Sequence, residues 1–316
     1  MFRPAWWLRN AHLQTVFPTF FRPLPRIALR RERIELPDGD FLDLDWTNGT
    51  SGPIVLILHG LEGSSRSNYA RGLMKAVHAR GWRGVVMHFR GCSGEPNRLP
   101  RSYHSGETGD PDFIIRRLRQ RHPESPLAVV GYSLGGNVLL KWLAEQGEAA
   151  PIDAAVAVSV PYRLADSANR LLRGFSRVYQ RRLVNNLCDS FRRKRDRIAM
   201  PIDPPLDRLR SFRDFDTAVT APLHGFRDAD HYYATVSSRQ FLKQIRKPVL
   251  CIHARDDTFM YPHTAPAPAE LSPTVQLELS EYGGHVGFIG GRWPWKPQYW
   301  LEERIPGYLA TRLTGR

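Results

Sequence analysis

Cysteine is scarce in this sequence, and its few cysteines lack the spacing of a structural motif. The 316 residues include three, Cys92, Cys188 and Cys251. An odd number without paired spacing argues against a disulfide framework, and no zinc-binding pattern is present. We therefore expect neither disulfide bonds nor a metal site.

Long hydrophobic runs are also missing. No apolar segment approaches the roughly 20 residues that a transmembrane helix requires. The amino-terminal stretch MFRPAWWLRNAHLQTVFPTFFRP interleaves aromatic residues with Arg and Pro, so it lacks the continuous apolar segment of a signal peptide. The sequence thus predicts a soluble, cytoplasmic protein, and we see no repeat or low-complexity tract.

Acidic residues are outnumbered by basic ones. There are 31 Asp and Glu against 45 Lys and Arg, which gives a net charge of +14. Such a balance suits nucleic acid, anionic lipid or acidic substrates. Arginine is spread along the chain, with one dense run, FRRKRDR at 191–197, and no known nucleic-acid module accompanies it. We interpret most of the charge as solvated surface, keep peripheral contact with an anionic membrane open and disfavour nucleic acid.

Five aromatic residues near the amino terminus leave two interpretations open. They are Trp6, Trp7, Phe17, Phe20 and Phe21. They could touch a membrane surface. Because large apolar residues mostly lie inside proteins, packing across the body of the fold is the favoured interpretation.

Short apolar runs alternate with helical patterns along most of the chain. The runs PIVLILHG, GVVMHFRG, PLAVVGYS, IDAAVAVSVPY and KPVLCIHA are typical of strands buried on both faces. The segments NYARGLMKAVHARG, DPDFIIRRLRQRHP and LGGNVLLKWLAEQG are typical of helices. This alternation predicts an α/β fold with a mostly parallel central sheet and helices on both faces.

The alternation stops at residues 162–245, which are polar, arginine-rich and aromatic. We interpret them as a helical cap insertion within one α/β domain spanning residues 1–316, above the sheet edge where α/β proteins bind ligands. An ordinary series of peripheral helices is the alternative. The aromatic residues of this stretch could wall an apolar pocket or form the core of the insertion.

The motif that carries chemistry is GYSLG at 131–135, a G-x-S-x-G pattern between a predicted strand and a predicted helix. Such a turn holds its serine in strained backbone geometry, and the glycines leave room where side chains would collide. Ser133 is therefore the candidate nucleophile. It would stand at the carboxyl end of the sheet, above a helix amino terminus that favours developing negative charge.

A serine nucleophile needs a base, and the base needs an orienting carboxylate. In this kind of fold the order along the chain is Ser, Asp, His. His285 in GGHVGF follows the last predicted strand, TVQLELSEY, and is the candidate base. Asp256 and Asp257 both follow KPVLCIHA. We choose Asp256, since the acid usually lies about three residues beyond the strand, and keep Asp257 as the alternative.

The reaction also needs donors for the oxyanion. The segment LHGLEGSS follows the first buried strand, where His59 and Gly60 would steer the chain so that the Leu61 N–H points at the site. The second donor would be the Leu134 N–H, on the residue after the nucleophile. We expect His59 to brace this loop, and the chemistry requires neither a metal nor an organic cofactor.

The motifs HGLEGSSRSNYARGL, HFRGCSG, YHSGETGD, GYSLGGN, ARDDTF and YGGHVGF together resemble the YheT-like branch of the α/β-hydrolase superfamily. NAHLQT near the start fits the same branch, so the resemblance covers nearly the whole chain. It implies a serine esterase with Ser133, Asp256 and His285 as catalytic triad, related to lipid-acting hydrolases and acyl-ester synthases. It also implies short- to medium-chain acyl esters as substrates. Thr258 departs from the pattern, because the family often has proline after the acids, and this change should affect loop stiffness.

The sequence therefore predicts a carboxylic ester hydrolase that forms an acyl-enzyme from a small-molecule ester or lipid. One alternative is an acyltransferase, which would use the same residues to pass the acyl group to an alcohol. An alternative from another class is a basic membrane- or nucleic-acid-associated binding protein with an incidental hydrolase site. The complete set of site residues argues against it.

Overall fold

One eight-stranded sheet organises the molecule in the computed structural model, which describes residues 2–49 and 51–313. Its strands are β1 (Leu29–Glu35), β2 (Phe41–Thr47), β3 (Ile54–Leu58), β4 (Arg83–Met87), β5 (Leu127–Tyr132), β6 (Ala154–Val158), β7 (Val249–Ala254) and β8 (Val275–Ser280). Their order across the sheet is β1-β2-β4-β3-β5-β6-β7-β8. β2 pairs antiparallel with β1 and β4, and the other pairs are parallel. The predicted mostly parallel sheet is confirmed.

The helices of the described residues lie between these strands and at both ends of the chain. They are α1 (Ala11–Phe21), α2 (Asn68–His78), α3 (Gly109–Arg121), α4 (Leu134–Gln146), α5 (Leu164–Leu171), α6 (Ser176–Arg195), α7 (Phe212–Phe215), α8 (Ala221–His224), α9 (Ala229–Val236) and α10 (Leu301–Leu313). A short hairpin, β9 (Ile289–Trp293) and β10 (Lys296–Tyr299), precedes α10.

The parallel strands β3 to β7 are buried on both faces, whereas the edge strand β8 is only partly buried. In β3, Leu56 and Leu58 face a core that α3 and α4 cover, whereas Val55 and Ile57 face a second core that α2 and α10 cover. All four side chains are fully buried. Because side chains alternate along a strand, two covered faces require an uninterrupted apolar run, which is the pattern that the sequence shows.

The chain between β6 and β7 contains helices α5 to α9. It has small cores of its own, one around Phe191 and another that includes Tyr232 and Tyr233. Hydrogen bonds join this stretch to the rest of the fold. The Ser105 N–H donates to the Tyr232 hydroxyl at 2.8 Å, and Asn137 Nδ2 donates to a backbone carbonyl of α9 at 2.9 Å.

The amino-terminal aromatic residues divide between core and surface. Trp7 and Phe17 pack together with ring centroids 5.4 Å apart, as favoured from the sequence. Trp6, Phe20 and Phe21 are instead 64%, 67% and 68% exposed, so the packing expectation is wrong for these three. Within residues 2–49 and 51–313, no helix combines the length and the hydrophobicity needed to cross a bilayer.

Candidate active site

Ser133 occupies the turn between β5 and α4 with φ 50° and ψ −118°, a conformation that non-glycine residues rarely adopt. A Cβ on Gly131 would lie 2.4 Å from the Gly135 carbonyl oxygen, and a Cβ on Gly135 would lie 2.4 Å from the Leu58 carbonyl oxygen. Any side chain at either position would collide with the backbone, so each position requires glycine. The strained turn that the G-x-S-x-G pattern predicts is therefore present, at the carboxyl edge of the sheet.

His285 lies in the turn after β8 and reaches across this edge to Ser133. Its Nε2 is 3.0 Å from Ser133 Oγ, and its Nδ1 is 2.9 and 3.1 Å from the two carboxylate oxygens of Asp257. The Phe259 ring stacks on the imidazole with centroids 4.0 Å apart and planes inclined by 4°. The ring is thus held between three groups, and its Nε2 can accept a proton while Nδ1–H donates to Asp257.

The prediction that Asp256 partners the histidine is wrong, because Asp257 holds that position. β7 ends at Ala254, so the third residue beyond the strand is Asp257. Asp256 Oδ1 accepts the Gly284 N–H at 2.9 Å, and its Oδ2 is buried without a hydrogen-bond partner among the described residues. Burial, with a further contribution from the adjacent Asp257 carboxylate, raises the pKa of Asp256 to about 6. Asp256 therefore braces the histidine turn and does not contact the imidazole.

Leu61 and Leu134 line the same cavity as Ser133. No hydrogen bond between described residues uses the backbone N–H of either leucine. The N–H of Leu134 lies at the amino end of α4, where helical N–H groups have no partner within the helix. Neither predicted donor is therefore engaged by another described residue.

The loop that carries Leu61 is held on both sides. The Gly60 N–H donates to the Tyr69 hydroxyl at 2.8 Å, and the Glu62 N–H donates to the Tyr103 hydroxyl at 2.8 Å. His59 Nδ1 lies 2.7 Å from the Gly60 carbonyl oxygen, and burial lowers the pKa of His59 to about 3. A neutral His59 therefore braces the loop, as expected from the sequence.

Sequence reasoning missed a polar link from this loop to α6. The Tyr103 hydroxyl donates to Glu62 Oε1 at 2.8 Å, and the Ser190 hydroxyl donates to Glu62 Oε2. Burial raises the pKa of Glu62. Glu62 has a φ of 51°. A left-handed conformation usually shows in a sequence as a glycine, so a glutamate at this position gave no sign of it.

Helix α1 also contributes to the site, and sequence reasoning missed it. The Thr15 hydroxyl accepts a hydrogen bond from the backbone N–H of His285 at 3.0 Å. Gln14 is fully buried, and its side chain bonds both the N–H and the carbonyl of Ile289, at 2.7 and 2.9 Å. A Cβ on Gly284 would lie 2.5 Å from the Ala11 carbonyl oxygen. The signal in the sequence was the motif NAHLQT, which contains Gln14 and Thr15.

Two spaces meet at Ser133 and His285. One is a cavity of about 130 Å³ whose wall is largely apolar and comes mostly from α5 to α9. The other is a groove of about 630 Å³ between α1, α6 and the loop of Leu61. Tyr232 and Tyr233 line the cavity and also belong to a core formed by α5 and α9, so for these two residues the pocket wall and the core are the same surface. Across the described residues, no three His, Cys, Asp or Glu side chains form a metal-binding group.

Comparison with known proteins agrees with this fold. The profile of the family described as alpha/beta hydrolase fold matches residues 53–291. The chain is 48% identical to the Escherichia coli (strain K12) protein named "Putative esterase YheT", over 100% of this chain and 94% of that protein. It is 32% identical to the mouse (Mus musculus) protein named "Phospholipase ABHD3", over 92% of this chain and 74% of that protein.

A solved structure shows the same fold at lower sequence similarity. The esterase Pf2001 of Pyrococcus furiosus has a TM-score of 0.59 and 16% identity, and the match covers 91% of this chain and 92% of that chain. The profile match and the identity over the full length decide the family. This chain belongs to the α/β-hydrolase fold family, to its YheT-like branch, and is a hydrolase of the esterase and lipase type.

Proposed function

We propose that this chain is a serine carboxylic ester hydrolase with Ser133 as nucleophile, His285 as base and Asp257 as orienting acid. The observation that carries the proposal is the hydrogen-bonded series from Ser133 Oγ through His285 to Asp257 beside an apolar cavity. The printed names of two relatives, an esterase and a phospholipase, support esters of small molecules or lipids as substrates.

Acylation begins when Ser133 Oγ attacks the ester carbonyl carbon and its proton passes to His285 Nε2. Asp257 accepts the Nδ1–H bond and stabilises the imidazolium, an interaction that its burial strengthens. The tetrahedral intermediate then breaks the bond to the alcohol, which leaves with the proton from Nε2. In the second half, His285 takes a proton from water, the hydroxide attacks the acyl-enzyme, and the acid is released as Ser133 regains its proton.

The Leu61 and Leu134 N–H groups are the proposed oxyanion donors. Negative charge develops on the carbonyl oxygen in both tetrahedral intermediates, and preorganised N–H groups stabilise it without further rearrangement. The bracing of Gly60 and Glu62 by tyrosine hydroxyls supports this role, because it holds the Leu61 N–H in place before substrate arrives.

The cavity is the proposed site for the acyl chain. Its volume of about 130 Å³ and its apolar wall favour short to medium chains. Asp216 lies in the wall, accepts bonds from Thr220 and Tyr233 at 2.6 Å each, and has its pKa raised to about 6 by burial. The alcohol part of the ester would leave through the groove on the other side of Ser133.

The first experiment is labelling of the purified protein with a fluorophosphonate probe, which reacts with activated serine hydroxyls. We expect labelling of the wild type and none of Ser133→Ala. A folded wild type that resists the probe, or Ser133→Ala protein that still labels, would contradict the proposal. The same preparations are then assayed with p-nitrophenyl esters from acetyl to palmitoyl. A maximum at short or medium chains is the expected profile, and activity that increases continuously to palmitoyl would contradict the proposed acyl site.

A further inference from the structure

Exposed apolar side chains gather at the mouth of the groove that leads to Ser133. Leu13, Phe20, Phe175 and Val178 are 50%, 67%, 56% and 55% exposed, and all four line the groove. Single exposed apolar residues are common on protein surfaces, but several that converge on one opening mark an interaction site. We call these four side chains the apolar rim.

The rim is one continuous surface although it comes from two helices far apart in sequence. Leu13 and Phe20 lie on α1, Val178 lies on α6, and Phe175 directly precedes α6. His12 joins the two sides, because its Nδ1 is 3.0 Å from the Tyr179 hydroxyl and its ring packs 5.0 Å from that of Phe175.

The surface around the rim is strongly basic. The sequence has no Asp or Glu before Glu32, and none between residues 167 and 188, so α1 and the first turns of α6 carry no acid. Arg177, Arg181 and Arg182 are exposed on α6, and Arg66 is exposed on the opposite wall of the groove.

The acids that line the groove do not offset this charge. Glu302 forms an ion pair with Arg22, and both oxygens of Glu62 accept hydrogen bonds from Tyr103 and Ser190. The mouth of the groove therefore combines exposed apolar groups with arginines that face solvent.

We propose that the apolar rim docks on the surface of a bilayer containing anionic phospholipid, so that the groove opens into the lipid. The inference extends the proposed function, since it names the physical state in which a lipid ester reaches Ser133. Apolar side chains inserted at the headgroup level beside arginines are the combination that such surfaces bind. A second copy of the chain fits poorly, because the contact would bring two basic surfaces together. Nucleic acid would use the arginines but offers no partner for Leu13 and Val178.

The test is cosedimentation of Ser133→Ala protein with vesicles, so that no lipid is consumed and binding is measured independently of catalysis. We expect binding to vesicles of phosphatidylcholine and phosphatidylglycerol in equal amounts, weaker binding to phosphatidylcholine alone, and loss of binding in high salt. Adding Phe20→Ser and Val178→Ser should weaken binding to the mixed vesicles about tenfold or more.

Charge is tested by a matched pair of substitutions. Arg182→Glu at the groove should weaken binding to the mixed vesicles about tenfold, whereas Arg117→Glu, at an exposed position of α3, should change it less than about twofold. Equal thermal unfolding midpoints would show that the variants are folded. The proposal is overturned if the Ser133→Ala protein does not bind the mixed vesicles. It is also overturned if the two charge variants bind alike, or if the rim substitutions convert a dimer to a monomer.

Binding and catalysis can fail separately in this design. If the fluorophosphonate probe did not label the wild type, the proposed function would fail while vesicle binding could still be measured. If the probe labelled the wild type and vesicles did not bind, only the docking surface would be refuted.

Discussion

Replacing Asp257 by asparagine tests the site most directly. Both oxygens of the Asp257 carboxylate lie within 3.1 Å of His285 Nδ1, and the carboxylate side chain is 1% exposed, so water cannot replace it. An amide of the same size has no charge to stabilise the imidazolium and can present its NH₂ group to Nδ1. The imidazole would then carry its proton on Nε2 and could not accept the one from Ser133. We expect kcat/KM to fall about 10³- to 10⁴-fold.

The neighbouring residue provides a matched control, since Asp256→Asn makes the same change one position earlier. The asparagine amide oxygen can still accept the Gly284 N–H, which is the bond that Asp256 makes. We expect kcat/KM to stay within about threefold of the wild type, because this hydrogen bond survives.

The assay is initial-rate hydrolysis of a soluble p-nitrophenyl ester near neutral pH, together with the rate of fluorophosphonate labelling. Both rates should fall for Asp257→Asn and hold for Asp256→Asn, with unfolding midpoints showing that each variant is folded. The reasoning would be refuted if Asp256→Asn were the more damaging change. It would also be refuted if Asp257→Asn kept more than about a tenth of the activity.

Three further predictions concern groups around the proposed triad. Asp256 has its pKa raised from its usual 3.8 to about 6, so the folded state loses stability as pH rises through this window. Asp256→Asn should therefore raise the unfolding midpoint more above pH 6 than at pH 4, and a gain independent of pH in thermal melts would contradict this. Ala168 lines the cavity, and Ala168→Phe should shift the ester chain-length profile toward acetyl with labelling retained, whereas an unchanged profile would place the acyl chain elsewhere. Thr15→Val leaves the backbone N–H of His285 without its acceptor, so kcat should fall about tenfold, whereas Thr15→Ser should retain activity. Equal kcat values for the two variants would argue against a positioning role for Thr15.

The turn of Ser133 could be predicted because its motif is local, with Gly131 and Gly135 each two residues from the serine. A side chain on Gly131 would meet the start of the following helix, whereas one on Gly135 would meet the end of the neighbouring strand β3. Strands β3 to β7 were predictable for a similar reason. Side chains on both faces of each strand are covered, so each strand needs an uninterrupted apolar run. His285 followed from chain order once the strands were placed.

The choice between Asp256 and Asp257 was not decided by sequence. Both lie in one turn, and adjacent residues there point in different directions, one toward Gly284 and the other toward the imidazole. The part played by α1 was also beyond reach, because the bond between Thr15 and His285 joins positions 270 residues apart. The exposure of Phe20 depends likewise on how α1 lies against the fold.

The contact between α1 and the histidine turn has a consequence for the order in which the enzyme matures. Ser133 and the loop of Leu61 are synthesised long before residue 285, and α1 emerges before either. The turn of His285 packs against α1, so contacts of very large sequence separation must form before the imidazole has its final support. The arrangement of Ser133 and His285 is then completed only after residue 285 has been made, since α1 has to wait for a turn 270 residues further along the chain.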